Sequence, residues 1–258
     1  MRAEATAVDR VRLLSFGLVA VAVAGAVFLV NGLIATSGEA GMLGDLDIYR
    51  GAILYGFSGG DLYAWTYTHP TVHGLGFTYP PFAALVLAPF AFLASLPAKV
   101  VWTILTFAVL VWCLFVLVRA AERDPAGRPD AAGTRWHRLA WVAGLAIPVL
   151  ASYPFLHNLV VGQVSLFVVA LALCDHLLPR RWQGVLVGLA GAIKLTPLVF
   201  LPYYVLTRQW RQAAVCLGTF GAASALAWAV LPAASWSYWT DKLWQTGRVG
   251  RTESTVNK

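Results

Sequence analysis

Long uncharged runs alternate with short charged breaks along this chain, and that pattern predicts a bundle of membrane-spanning helices. Leu13 to Gly38 contains no charged residue, and Arg2, Arg10 and Arg12 precede it. A spanning helix needs about 20 such residues. A cleaved signal peptide is the alternative, but its apolar core runs only about 7–15 residues, so the first run is read as a retained helix. Val100 to Val118 is a second clean run. Leu139 to Cys174 is uncharged apart from His157 and too long for one helix, so it is split near His157, Asn158, Gly162 and Gln163. Gln212 to Pro232 is the last run.

Three stretches break this pattern. Residues 39–78 carry Glu39, Asp45, Asp47 and Asp61 but only one basic residue, Arg50, together with Tyr63, Trp65, Tyr67 and Phe77. Few Lys and Arg and many interfacial aromatics mark an extracytoplasmic loop. Residues 80–97 are apolar but hold Pro80, Pro81, Pro89 and Pro97. Proline removes a backbone donor and kinks a helix, so this run is read as re-entrant or interfacial rather than spanning. The run 182–207 is interrupted at Lys194-Leu195-Thr196-Pro197 and flanked on both sides by arginines, which predicts two short helices that enter and return. Irregular backbone at such depth survives only where protein or water surrounds it.

Charge orients the path. Arg2, Arg10, Arg12, the five arginines of 119–138, Arg180, Arg181, Arg208 and Arg211 all fall in breaks that read as cytoplasmic. The tail 233–258 then lies on the same outer side as the loop 39–78. The whole chain, 1–258, is read as one integral, multi-pass domain of the plasma membrane.

Composition agrees and removes other classes. Charged residues make up 12% of the chain and hydrophobic ones 59%. A soluble domain has about 25% charged residues. The net charge of +7 is explained by topology, because no basic stripe interleaved with aromatics stands outside the apolar runs, which argues against nucleic acid as a partner. Cys113, Cys174 and Cys216 lie in apolar runs at wide spacing and form neither a metal motif nor a disulfide framework.

Several residues carry candidate chemistry. Asp45-Leu46-Asp47 matches a DxD, a weak signal for metal or sugar-nucleotide binding, and the plainer reading of Asp47 is a solvated loop carboxylate. Asp45 precedes Ile48-Tyr49-Arg50 and a second aromatic cluster, Phe77-Thr78-Tyr79-Pro80-Pro81-Phe82. A carboxylate pinned by aromatics at a membrane surface suits general-base work. Lys194 is placed deep in an apolar run, where a cation suggests function; snorkelling to the interface is the plainer reading. His157, Asn158 and Gln163 suit either sugar hydroxyls or the capping of two helix ends. Arg50 suits a phosphate or an ion pair with Asp47. Asp175 is expected to pair with Arg180 at a helix end. No glycine-rich phosphate loop is present, and nothing beyond the Asp45/Asp47 pair suggests a metal or cofactor.

In order along the chain, Asp45-Leu46-Asp47-Ile48-Tyr49, Phe77-Thr78-Tyr79-Pro80-Pro81-Phe82, Asn158 to Gln163, Ile193-Lys194-Leu195-Thr196-Pro197, Tyr238-Trp239-Thr240 and Thr246-Gly247-Arg248-Val249-Gly250 resemble the polyprenyl-phosphate-mannose-dependent mannosyltransferases of actinobacteria. These belong to the GT-C superfamily, and the resemblance is strongest to the alpha-1,2 enzymes of phosphatidylinositol mannoside synthesis. It covers nearly the whole chain, and the order of the motifs carries it more than any one of them.

The resemblance implies an all-α, polytopic transmembrane GT-C-like bundle that transfers mannose or another hexose, with inversion, on the outer face of the membrane. The donor would be a polyprenyl-phosphate sugar and the acceptor a glycolipid or glycan. Asp45 would be the general base, with Asp47, Arg50, Tyr79, His157, Asn158, Gln163 and Lys194 as substrate-binding candidates. Family members are considerably longer, so the chain is expected to be the N-terminal part of such an enzyme. Two rivals remain at this stage: a lipid-sugar transporter or flippase, which would also use a broken helix with a buried lysine, and an inactive membrane fragment.

Overall fold

A computed structural model describes residues 43–69, 72–121 and 135–245. The first apolar run, most of the charged break after Val118 and the residues after Gln245 lie outside the described residues. Helices are numbered from the first one described. They are α1 Gly44–Phe57, α2 Pro81–Phe92, α3 Ser95–Ala121, α4 Arg135–Leu150, α5 Tyr153–Val161, α6 Ser165–Cys174, α7 Val185–Ile193, α8 Phe200–Leu206, α9 Trp210–Val230 and α10 Pro232–Thr240. Short 3₁₀ turns at Asp175–Leu177, Thr196–Val199 and Lys242–Trp244 join or follow them. The strands β1 Thr66–His69 and β2 Val72–Gly76 form one antiparallel hairpin with an irregularity between Tyr67 and Thr68.

Two helices are long and apolar enough to cross a bilayer among the described residues: α3, with 27 residues, and α9, with 21. At 1.5 Å per residue they measure about 40 and 31 Å, against a hydrocarbon core of about 30 Å. Trp141–Leu150 with Tyr153–Val161 would be a third span if counted together, but the pair bends by 73°. The chain is a predominantly helical membrane protein.

Three elements differ from expectation, and a fourth, α2, does not. The stretch 39–78 is not a plain loop: it holds α1 and the hairpin, because Asp45 and Asp47 in the first turn complement the helix dipole and the chain onward to Phe57 lacks proline. α2 starts on Pro81, where a missing N–H costs nothing, and its 12 residues reach about 18 Å, too short to cross alone. α3 begins five residues before Val100, since Pro97 is tolerated in a first turn. The run 139–174 breaks twice rather than once. The expected break falls at Gly162, which is left-handed (φ 75°), and the missed one at Ala151-Ser152, because Pro154, in the first turn of α5, has no N–H to give the Leu150 carbonyl four residues back.

The described chain divides into two compact units at Lys99, inside α3, and Leu171, inside α6. Residues 99–170 form one. Its core holds Leu110, Leu114 and Val118 of α3 with Val142, Ala146, Phe155 and Leu159 of α4 and α5. Within α3, Thr103 and Thr106 donate to the carbonyls of Lys99 and Trp102, which lets buried hydroxyls exist without an outside partner.

Residues 43–98 and 171–245 form the other unit. α1 packs on α2, α7 packs on α9, and α10 packs on α9 and α2. The tight contact is α7 on α9. A Cβ on Gly188 would lie 2.5 Å from the Cys216 carbonyl oxygen, and one on Gly184 2.5 Å from that of Gln212. The four-residue spacing of two glycines is what lets two helix backbones approach this closely in lipid.

Candidate functional site

The site is built on α1, the strand-to-helix junction before α2, and the break after α7. Asp45 and Tyr49 are four residues apart and therefore share one face of α1. The Tyr49 hydroxyl lies 3.4 Å from Asp45 Oδ2 and 3.2 Å from the Tyr79 hydroxyl. A phenol carries one proton. That proton is shared between the Asp45 carboxylate and the Tyr79 oxygen, so Tyr49 links three polar groups and leaves the proton of Tyr79 free. Burial, offset in part by the bond with Tyr49, holds the Tyr79 phenol above its ordinary value, and the Asp45 charge adds to the rise. Tyr79 therefore stays a hydrogen-bond donor at neutral pH.

An aromatic cage fixes these groups. Phe77 is fully buried. Tyr49 and Tyr79 meet its ring edge-on at 6.1 and 6.0 Å, and Tyr63 lies 6.0 Å away at a tilt. Tyr63 donates to the Tyr79 carbonyl at 2.9 Å and stacks on Tyr238 of α10 at 5.6 Å. Such pairs favour edge-to-face or offset geometry and resist sliding. The backbone at Tyr79 is thus held from two sides.

Lys194 ends α7. Its backbone is extended (φ −146°, ψ 125°), its N–H still donates to Ala190, and the chain then turns through Thr196–Val199 with Pro197 in the first turn. The expected interruption therefore stands at the expected residues. The ammonium sits 5.4 Å from the centre of the Tyr79 ring, within cation–π range, and is electrostatically coupled to Asp45. Asp45, Tyr49, Tyr79 and Lys194 form one cluster. It joins an acid, two phenols and a cation from positions up to 149 residues apart in the chain.

The other predicted residues fall elsewhere. Residues two apart on a helix do not share a face, so Asp45 and Asp47 cannot close on one ion as the DxD spacing suggested. Asp47 faces Arg50 instead, at 3.6 Å. Arg50 also donates from Nε to Phe90 at 3.1 Å and from Nη2 to Leu93 at 2.5 Å. It thereby satisfies carbonyls at the C-terminal end of α2 that have no helical partner. Of its two sequence readings, the structure displays the ion pair, with a strut added.

His157, Asn158 and Gln163 belong to the unit 99–170 and build the end of α5. Gly162 and Gln163 both donate to the Asn158 carbonyl at 3.0 Å, Asn158 Nδ2 donates to the Gln163 carbonyl at 3.3 Å, and Ser165 donates to Gln163 Oε1 at 3.0 Å. His157 is exposed and stacks on Tyr153 at 5.6 Å. Asn158 Oδ1 is buried with no partner among the described residues. Capping is therefore the visible work of Asn158 and Gln163.

Asp175 corrects the expectation of an ion pair with Arg180. It is 4% exposed and accepts from the backbone N–H groups of Gly184 at 2.7 Å and Leu186 at 2.9 Å. Sequence reasoning counted Tyr49, Tyr63 and Phe77 among the aromatics around Asp45 but named none of them as a site residue. Only the four-residue step from Asp45 to Tyr49 pointed to the first, and only a folded hairpin brings the other two in.

The sequence profile of glycosyltransferase family 87 matches residues 77–258. The chain belongs to that family. The matched segment contains Tyr79 and Lys194, while α1 with Asp45 precedes it. The chain is 35% identical over 213 residues to the polyprenol-phosphate-mannose-dependent alpha-(1-2)-phosphatidylinositol mannoside mannosyltransferase of Mycobacterium tuberculosis, covering 80% of this chain and 49% of that protein. It is 34% identical to the protein of the same description from Mycolicibacterium smegmatis, over 83% of this chain and 50% of the relative. A pentamannoside mannosyltransferase of Mycolicibacterium smegmatis is 31% identical over 83% and 50%. The chain spans about half the length of these curated relatives. No solved structure matches it.

Proposed function

We propose that this chain carries the catalytic carboxylate of an inverting mannosyltransferase, one that moves mannose from a polyprenyl-phosphate donor to a glycolipid at the outer face of the plasma membrane. Asp45 takes the proton of the acceptor hydroxyl as that oxygen forms its bond to the anomeric carbon. The bond from that carbon to the phosphate oxygen breaks, and polyprenyl phosphate leaves with the electron pair. Tyr49 holds the base. Lys194, with the protonated Tyr79 hydroxyl beside it, offsets the negative charge that grows on the departing phosphate, the kind of preorganised charge that dominates transfer catalysis.

One observation supports this most. The cluster brings a carboxylate, linked to the Tyr79 hydroxyl through Tyr49, together with an ammonium 5.4 Å from the centre of the Tyr79 ring. A transfer that needs a base at one end of the reacting axis and a cation at the other asks for that polarity. The relatives are polyprenol-phosphate-mannose-dependent mannosyltransferases of phosphatidylinositol mannosides, and membrane-borne substrates of that kind need no nucleotide loop.

Asp45→Asn keeps shape and polarity but cannot accept the proton. In the protein that carries this sequence, transfer of labelled mannose from polyprenyl-phosphate mannose should fall about 10²–10⁴-fold with the melting profile unchanged. Undiminished transfer would sink the base assignment. Movement of the lipid-sugar across vesicles, untouched by the same change, would favour a transporter. Cys placed at position 45 should react with a membrane-impermeant reagent from the outer side.

A further inference from the structure

α7 has a second polar end. About 12 Å from Lys194 along this nine-residue helix, the loop 175–184 and the turn 207–209 enclose a cavity of about 230 Å³ lined by Asp175, Gln183, Tyr203, Tyr204, Gln209 and Gln212 among others. Its polarity is only partly used. The Asp175 carboxylate is occupied by the two backbone N–H groups that start α7. Gln183 and Gln209 spend their amide N–H groups on His176, Leu178 and Thr207. The Gln212 carboxamide has no hydrogen-bond partner among the described residues. Neither has the hydroxyl of Tyr204, a side chain only 8% exposed.

The rim is cationic. Arg180 and Arg181 sit on the first loop, and Arg208 and Arg211 on and just after the second; all four are exposed. None is ion-paired among the described residues, although Arg181 lies 6.0 Å over the Trp182 ring, so the segments that border the cavity carry four arginines against the one lining carboxylate of Asp175. Trp182 and Trp210, 54% and 62% exposed, flank the same loops, and Trp210 opens the spanning helix α9. Exposed tryptophans at the start of a span mark the headgroup level of a bilayer. Arginine clusters there attract anionic lipid.

We propose that this cavity is a headgroup site for an anionic phospholipid. The phosphodiester lies among the four guanidiniums, which can grip its oxygens in pairs, and the headgroup hydroxyls reach Gln212 and Tyr204. The site shares no residue with the Asp45 cluster, so it stands or falls separately from the proposed transfer reaction.

Melting of the purified chain in neutral detergent tests it. Added phosphatidylglycerol should raise the midpoint saturably, phosphatidylcholine should not, and the shift should shrink as salt screens the arginines. Replacing Arg180, Arg181, Arg208 and Arg211 with Gln should abolish the shift. Tyr204→Phe should weaken phosphatidylglycerol binding about fivefold, the worth of one hydrogen bond, and leave the salt dependence in place. Because the Tyr204 variant keeps every charge and nearly all the packing, it remains informative if the fourfold variant fails to fold. An equal shift with phosphatidylcholine, a shift insensitive to salt, or full stabilisation by inorganic phosphate alone would overturn the proposal.

Discussion

Asp45 and Asp175 stand near opposite ends of the same helix, and they are held in opposite ways. Asp175 is nearly sealed from solvent, and its two oxygens take the backbone N–H groups of Gly184 and Leu186. Those donors cannot rotate away without unwinding the first turn of α7. Asp45 is half-buried, and its contact with Tyr49 is a long one, 3.4 Å, to a hydroxyl that turns freely about its C–O bond. A carboxylate tied to backbone is part of the fold. In the reaction proposed above, Asp45 exchanges its contact with the movable Tyr49 phenol for an acceptor hydroxyl. If the proposed reaction holds, the aspartate that does chemistry is the less buried of the two and the one facing a donor that can turn away.

The largest effect expected on this contrast is that of Asp45→Asn, given above: loss of transfer with the fold intact. Next comes Lys194→Met, which keeps the length of the side chain and removes the charge. Transfer should fall about 10²-fold, as when one preorganised partner of a developing anion is deleted, and the fall should appear in kcat more than in KM, because the phosphate gains its charge on the way to the transition state. A loss confined to KM would place Lys194 on the ground-state donor instead. Asp175→Ala should invert the pattern. It leaves two N–H groups at a buried helix start without their charged acceptor, at a cost of about 2–3 kcal/mol, read as a lower unfolding midpoint in detergent. Transfer per folded molecule should be unchanged. If Asp175→Ala destroyed activity while the midpoint held, the division between the two aspartates would fail.

The helical membrane class was legible because it is written in long runs: α3 and α9 each carry a full crossing's worth of apolar residues. The break at Lys194 was legible for a related reason, since a lysine and a proline three residues on cannot both continue an apolar helix. What could not be read was local. Within 39–78 the charge balance spoke for a loop, and the helix there depends on packing against α2, a contact from outside the window. Asp175 and Arg180 looked like partners because they are five residues apart, yet a tight turn delivers the carboxylate to backbone groups 9 and 11 residues on. The Asp45–Asp47 spacing suggested one site for two carboxylates, and helix geometry sends them to opposite faces. Pairings set by a turn or by a helix's phase stay hidden until the element is known.

Tyr49→Phe is the smallest of these changes and the sharpest on mechanism. It removes one oxygen from the Asp45–Tyr49–Tyr79 chain and keeps the ring that packs edge-on against Phe77, so stability should change by no more than about 0.5–1.5 kcal/mol. A carboxylate that loses a hydrogen-bond donor is protonated at higher pH. If Tyr49 positions a general base, the acidic limb of the rate–pH profile should therefore move upward while the rate on the plateau falls only severalfold. A Tyr49 that serves packing alone would leave the limb where it was, since phenylalanine restores the packing. The same profile in Tyr79→Phe separates the two phenols. Tyr79 hydrogen-bonds Tyr49 and lies beside Lys194, so on the proposed mechanism its loss should lower the plateau through the leaving-group side and shift the limb less.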